Sequence, residues 1–489
     1  MPASAFITAL GILASCVFTP GQQRPRADLV ITGINVIDLD GGPTRTFTVV
    51  VDRGSIVDLL PPEQPVPEAD AVIEGRGKFL IPGLWDMHVH LATRPEPSLA
   101  ENIMFPLFLA NGVVGVRDMG GPLDRVLALR AGVNEGRLQG PRIITPGPFI
   151  DGSGDADPMF RRAATAEDAR TAVRELVKAG VDFVKVQANL TRASYDAVIA
   201  EARAQKIVVS GHVPVALSAA HTIGSGQRSI EHISPALPGD AGLLFGCSSR
   251  EDALRAELLP IERGRTSATP EAIRARETAL RGELVRTFDP ARAATLGARL
   301  RSGRTWIVPT LIWSNSFRPL HREANGADLP LEFVPAQTRK GWQDGRARYL
   351  QAAPPEAFTA ASEVADASAR AVGALHGSGA RILAGTDTFD AFVLPGVSLH
   401  QELVLLTEAG LTPLAALQTA TRNAADFHGT LDSEGTISRG KKADLVILDA
   451  DPLADIRNAS RIHAVITRGR TLTRAGLDKL LQTAREAAR

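Results

Sequence analysis

The segment Leu84-Trp85-Asp86-Met87-His88-Val89-His90 ends an apolar run with two imidazoles. Side chains alternate across a strand, so positions i and i+2 share a face, and His88 and His90 would both point into one barrel or cleft. Similar groups recur in later strand-like runs. Lys185 lies within Asp182-Phe183-Val184-Lys185-Val186, and His212 follows Ile207-Val208-Val209-Ser210-Gly211. His232 ends Ser229-Ile230-Glu231-His232, and Asp387 ends Ala380-Arg381-Ile382-Leu383-Ala384-Gly385-Thr386-Asp387. Taken singly, a strand-end His is more often a hydrogen-bonded structural residue, a buried Lys the partner of an acid, and Gly-Thr-Asp a turn. Their joint order on successive strands favours nitrogen and oxygen donors converging on metal, as in a two-metal hydrolytic site.

The same pass along the chain predicts the fold. Beyond residue 80, strand-like runs at Val113 to Asp118, Arg142 to Ile150, Asp182 to Val186, Ile207 to His212, Ser229 to Ile233, Thr305 to Ile312 and Ala380 to Asp387 alternate with helical stretches. With the His88 strand they make eight. Among the helices, Ala166 to Ala179 begins after Thr165, has Asp168 placed for a capping box, and stops at Gly180. Eight strands with intervening helices indicate an α/β chain with a (β/α)8 TIM-like barrel, whose active sites gather at the carboxyl ends of the strands.

Several stretches resemble the amidohydrolase superfamily, near its imidazolonepropionase-like and prolidase-like branch. They are Ile81-Pro82-Gly83 running into the segment that ends at His90, Gly115-Val116-Arg117-Asp118-Met119-Gly120, Ser229 to His232, and Leu383 to Asp387. Pro395 to Leu403 and Gly435 to Val446 extend the likeness, which runs from about residue 26 to about residue 471. The resemblance implies a barrel inserted into a small β-sandwich. Residues 1–25 would be an export signal and linker, 26–80 and 429–475 the two parts of the sandwich, 81–428 the barrel, and 476–489 a C-terminal helix. Residues 248–302, rich in Ala, Arg, Glu and Leu, read as a helical insertion, either a lid or a solvated helical pair.

The resemblance also implies a ligand set. One divalent metal would be held by His88, His90 and Asp387 and a second by His212 and His232, with a carbamylated Lys185 joining them. A protonated ammonium is no ligand, so Lys185 would first lose its proton and take up carbon dioxide, which burial among Phe183, Val184 and Val186 favours. Zinc suits such ligands, with manganese, iron and cobalt open. A hydroxide between the metals would attack, and Asp387 would act as general base and then acid. The implied activity is cleavage of an amide C–N bond, by a dipeptidase or N-acyl amino acid hydrolase. An ester, lactone or phosphotriester hydrolase and a catalytically silent binding protein are the alternatives, while Lys185 argues against a mononuclear deaminase.

The substrate-binding residues are unknown at this point. Tyr195, Arg192 and Arg117 are available to a substrate carboxylate, and His321 and His400 are further histidines of open role. Pro148-Phe149-Ile150-Asp151-Gly152-Ser153-Gly154-Asp155 stands where the relatives carry a Gly- and His-rich loop. With 489 residues, a net charge of +0 and 44% hydrophobic content, the composition is that of a globular chain, and no basic patch points to nucleic acid. A small-molecule amide or peptide is the expected partner, in a homo-oligomer. Met1 to Phe18 is apolar and rich in small residues and reads as an export signal. Leu13-Ala14-Ser15-Cys16 resembles a lipoprotein signal, although Met1-Pro2-Ala3-Ser4 lacks Lys or Arg, so a lipid anchor at Cys16 and simple cleavage both stay open. The expected location is exported, periplasmic or membrane-anchored. Cys247 would be the remaining thiol and reads as structural.

Overall fold

Val-, Ile- and Leu-rich runs at both ends of the chain come together in one sheet. The computed structural model describes residues 26–93, 98–152, 157–235, 240–262, 267–316, 329–353 and 355–489. The export and lipidation readings and His321 lie outside these residues. β1 (Ala27–Val36), β2 (Arg45–Asp52), β3 (Ser55–Leu60), β4 (Ala69–Glu74) and β5 (Phe79–Pro82) open the chain. The central strands are β6 (Leu84–Val89), β7 (Val113–Asp118), β8 (Arg142–Ile144), β9 (Phe149–Asp151), β10 (Phe160–Arg162), β11 (Val184–Val186), β12 (Val209–Gly211), β13 (Ser229–Glu231), β14 (Trp306–Val308) and β15 (Arg381–Ile382). β16 (Leu445–Leu448), β17 (Ile462–Thr467) and β18 (Arg470–Leu472) close it.

The first sheet has the order β18-β17-β16-β5-β1-β2-β3, with β4 beside β1. Leu29, Ile31, Val49, Leu445, Ile447 and Ile466 from both ends of the chain share its core. Two of its strands, β4 and β5, carry weak signals in the sequence. β4 is mostly exposed and so shows no buried stripe. β5 ends in Pro82, which argues against a strand, yet Pro82 stands opposite Leu445 in an antiparallel pair.

The central strands form two parallel sheets, β6-β7-β8 and β10-β9-β11-β12-β13-β14-β15. Backbone bonds join them on both sides. Met87 N donates to Ala384 O at 2.9 Å and Asp387 N to His88 O at 2.8 Å, while Asp182 N donates to Thr145 O at 2.9 Å. Setting aside β9 and β10, eight parallel strands remain, in the chain order that the sequence predicts. Every residue of β6 and β7 is buried, as in a parallel sheet covered on both faces, which is why neither strand alternates in polarity. One expectation needs correction: Arg142 to Ile150 is not a single strand. Gly147, at φ +69°, turns the chain between β8 and β9, and a Cβ there would strike Leu123 at 2.7 Å.

Helix Ala166–Ala179 has the expected ends. Asp168 N donates to Thr165 Oγ1 at 3.1 Å, Thr165 N donates to Asp168 Oδ2 at 2.9 Å, and Gly180 takes φ 81°. In the insertion, helices Glu251–Glu262, Pro270–Arg286 and Pro290–Gly303 send Leu254, Leu258, Leu280, Leu284, Leu296 and Leu300 into the main core. That burial excludes a merely solvated pair. No helix of the described residues is long and apolar enough to cross a membrane.

Candidate metal centre

The strands deliver the histidines and their loops deliver the acids. His88 lies inside β6 with His90 one residue beyond it, while His212 and His232 directly follow β12 and β13. Lys185 is the middle residue of β11, and Asp387 follows β15 by a short loop. That loop packs tightly on β6, since a Cβ at Gly385 would lie 2.8 Å from His88 Cβ and 2.9 Å from His88 N, a clearance that only glycine provides. The Asp387 carboxylate sits among three imidazoles: Oδ1 is 3.4 Å from His88 Nε2 and 3.2 Å from His90 Nε2, and Oδ2 is 3.9 Å from His232 Nε2. Next to it, His212 Nδ1 stands 3.5 Å from Asp240 Oδ2, and the His212 and His232 rings are 4.9 Å apart. The donor atoms of His88, His90 and Asp387, and those of His212, His232 and Asp240, each lie within 4.8 Å of one another.

A second ring of contacts aims these groups. His88 Nδ1 meets Glu231 Oε2 at 3.0 Å, His90 Nδ1 donates to Gly120 O at 3.0 Å, and His232 Nδ1 meets Thr310 Oγ1 at 2.8 Å. A proton held on Nδ1 leaves the Nε2 lone pair facing inward, as a ligand histidine requires. Glu231 is fixed in turn by Arg117 Nη2, at 2.9 and 2.8 Å, and by Ser229 Oγ at 2.5 Å. Glu402 accepts from Leu311 N at 3.1 Å and Ile312 N at 2.7 Å, bracing the turn that carries Thr310. His232, Thr310 and Asp387 all have left-handed backbones, with φ of 62°, 49° and 63°. Three such non-glycine residues in one place store strain that the surrounding contacts must hold.

The electrostatics suit cation binding. Burial drives the pKa of His88 and His212 well below the usual histidine value, with Lys185 and His232 pushing the same way. Burial also takes His232 down to about 4, so all three rings are neutral at neutral pH. Burial would raise Asp387, but its hydrogen bond with His90 and the charges of His232, His90 and Lys185 bring it to about 2. His88 Nε2 and both ring nitrogens of His212 are buried without a hydrogen bond among the described residues. Buried polar atoms left unpaired are costly, and a divalent ion would satisfy these. The residues therefore fit such an ion.

Lys185 is buried, with Nζ 4.9 Å from the centroid of the Phe149 ring. Burial lowers its pKa and Arg117 adds to this, against the carboxylates of Asp387, Glu231 and Asp240. It forms no salt bridge among the described residues.

Other sequence candidates lie elsewhere. Arg117 is fully buried, its guanidinium taken by Glu231, Ser229 and Met87 O, and cannot meet a substrate carboxylate. Tyr195 is buried and donates to Gln227 Oε1 at 3.0 Å, while Arg192 lies exposed beside His221 and Asp196. His400, in helix Val397–Glu408, donates through Nε2 to Asn111 O at 3.0 Å and is structural. The Cys247 thiol is buried and pushed up to about 12, as an inert thiol would be. Replacing Arg117 by Met should cost about 3–5 kcal/mol of folding stability, because it strands the buried Glu231 carboxylate. Denaturant unfolding checks this, and a loss under about 1 kcal/mol would mean that Glu231 is held otherwise.

Residues 314–472 match the sequence profile of the amidohydrolase family. Among curated relatives, a dihydroorotase of Carboxydothermus hydrogenoformans is 43% identical over 63 residues, which are 13% of this chain and 14% of that enzyme. Ochratoxinase of Aspergillus niger is 25% identical over 283 residues, covering 44% of this chain and 57% of the enzyme. The chain thus spans little more than half of the longer-matched relative. A solved Xaa-Pro dipeptidase with methionine bound in its active site shares the fold, with a TM-score of 0.64 and 20% identity over 91% of this chain and 99% of that one.

Proposed function

We propose that this protein is a metal-dependent hydrolase that cleaves the C–N bond of a small amide, either a dipeptide or an N-acyl amino acid. The observation that carries the reading is the meeting of two donor triplets, His88, His90 and Asp387 beside His212, His232 and Asp240. The amide chemistry is supported by the family match and by the names of the relatives, an ochratoxinase and an Xaa-Pro dipeptidase among them.

In this reading His88, His90 and Asp387 would hold one divalent ion, zinc by donor type, and His212 and His232 would hold another with Asp240 alongside. Lys185, buried and without a salt bridge among the described residues, would release two protons to solvent on taking up carbon dioxide, one from its ammonium and one from the nitrogen as the C–N bond forms, and the resulting carbamate oxygens would serve as further metal ligands. Bound ions would supply a polarised substrate carbonyl and an acidified water. The chain's own residues do the rest. Asp387, ionised at neutral pH, accepts the proton of the attacking water and returns it to the departing nitrogen, so no proton is gained or lost over the cycle. Glu231 and Thr310 keep the inward nitrogens of His88 and His232 free of protons. A cavity of about 370 Å³, lined by His90, Thr93, Asp387, Phe389 and Asp390, opens onto this centre and suits a small substrate.

Metal analysis by inductively coupled plasma mass spectrometry, on protein purified without chelator and with bicarbonate, tests the reading together with a panel of amide and ester substrates. About two ions per chain and turnover of amides are expected. No ion after reconstitution, or turnover confined to esters, would overturn it.

A further inference from the structure

Asp390 shares the cavity wall with His90 and Asp387, yet the ligand arrangement gives it no task. Its carboxylate is held at both oxygens by N–H donors: Trp313 Nε1 donates to Oδ2 at 2.8 Å and Ala391 N to Oδ1 at 2.7 Å. Neither donor is charged, and among the described residues no Lys or Arg forms a salt bridge with it. The side chain is therefore a fixed, half-buried carboxyl group facing a small cavity, with lone pairs remaining on both oxygens. Aromatic surface flanks it. Phe389 is part of the same wall, and the Trp313 ring, 5.9 Å from His232, reaches from the histidine cluster to Asp390. An oriented carboxylate beside aromatic faces is suited to an ammonium group.

We infer that Asp390 binds the free α-ammonium group of the substrate, so that the molecule cleaved is an unblocked aminoacyl amide or dipeptide and not an N-acylated amino acid. The inference rests on the hydrolase reading above and narrows it. Three Cα–Cα steps separate Asp387 from Asp390, so their Cα atoms are at most roughly 11 Å apart. Both carboxylates line one cavity of about 370 Å³, and an α-ammonium is one carbon removed from the scissile carbonyl, so one small substrate placed there has both as neighbours. Asp390 acts by positioning and orders the acyl half, while the proton transfers stay with Asp387.

The test compares kcat/KM of the metal-loaded full chain for dipeptides and for their N-acetylated counterparts, in wild type, Asp390→Asn and Asp390→Glu. Wild type should prefer the free amine by roughly 10- to 100-fold, the worth of one charge-assisted hydrogen bond. The preference should fall to near unity in Asp390→Asn, chiefly through KM, and return in part in Asp390→Glu. A wild type that prefers acetylated substrates, or an Asp390→Asn enzyme that keeps the wild-type ratio, overturns the inference. The wild-type ratio needs no variant and stands even if Asp390→Asn fails to fold. Calorimetric binding of leucinamide and N-acetyl-leucinamide separates the two claims. If neither class is hydrolysed but leucinamide binds better and depends on Asp390, the hydrolase reading falls and the ammonium site stands. If leucinamide binds no better than its acetylated form, the ammonium site falls whatever the turnover.

Discussion

An Asp387→Asn variant should lose turnover by about 10²- to 10⁴-fold while remaining folded, the range expected when a positioned general base is removed. The amide nearly matches the carboxylate in shape but cannot take a proton from water. The backbone bond from residue 387 N to His88 O, at 2.8 Å, does not involve the side chain and survives. The left-handed φ of 63° is one that Asn tolerates better than most residues. Single-turnover kinetics would show the loss in the chemical step, and far-ultraviolet circular dichroism would show the fold intact. Turnover retained in this variant would remove Asp387 as the base and leave it at most a ligand.

Lys185→Ala is expected to bind at least one metal ion fewer per chain and to lose activity with it, recovering part of both in short carboxylic acids that fill the vacated space. Lys185 is buried beside the Phe149 ring with no salt bridge among the described residues, so the metal-free chain gains little from its ammonium. Thermal unfolding of metal-free protein should therefore find the variant no less stable than wild type. Metal-loaded wild type should be the more stable of the two, since a ligand that binds only the folded state raises its stability. A structural lysine would give the opposite pattern, with lower stability in both forms and unchanged metal content. Full occupancy in Lys185→Ala would exclude the shared-ligand role.

What could be read in the sequence was whatever repeats with the strand period. His88, His90, Lys185, His212, His232 and Asp387 could be picked out because each lies in or just beyond a parallel strand, and strand order maps onto position around the centre. Asp240 could not: it ends Pro238-Gly239-Asp240, which reads as a turn, and only folding carries it to 3.5 Å from His212. Glu231 stood in a quoted segment, but its contact with His88 comes from a strand 143 positions away. Glu402 and Leu311, 91 positions apart, leave no local periodicity either. Asp390 sits on a loop and Trp313 in the short helix Leu311–Ser316, and they meet only in space. The fold was more legible than the second ring of contacts because strands announce themselves locally, while side-chain pairs across the centre depend on the whole tertiary arrangement.

The pairing of β5 has a consequence for how the chain is made. Phe79 to Pro82 bond on one side to β1, a near neighbour in sequence, and on the other to β16, whose residues are synthesised more than three hundred positions later. Until Leu445–Leu448 emerge from the ribosome, one edge of β5 has no partner, and a bare edge is a template for pairing with another chain. Completion of this sheet is therefore a late, long-range event, slow by the usual link between contact order and folding rate. A chain ending before residue 445 would keep every histidine of the centre and still present an unprotected edge, so aggregation, and not absent chemistry, would be its first defect.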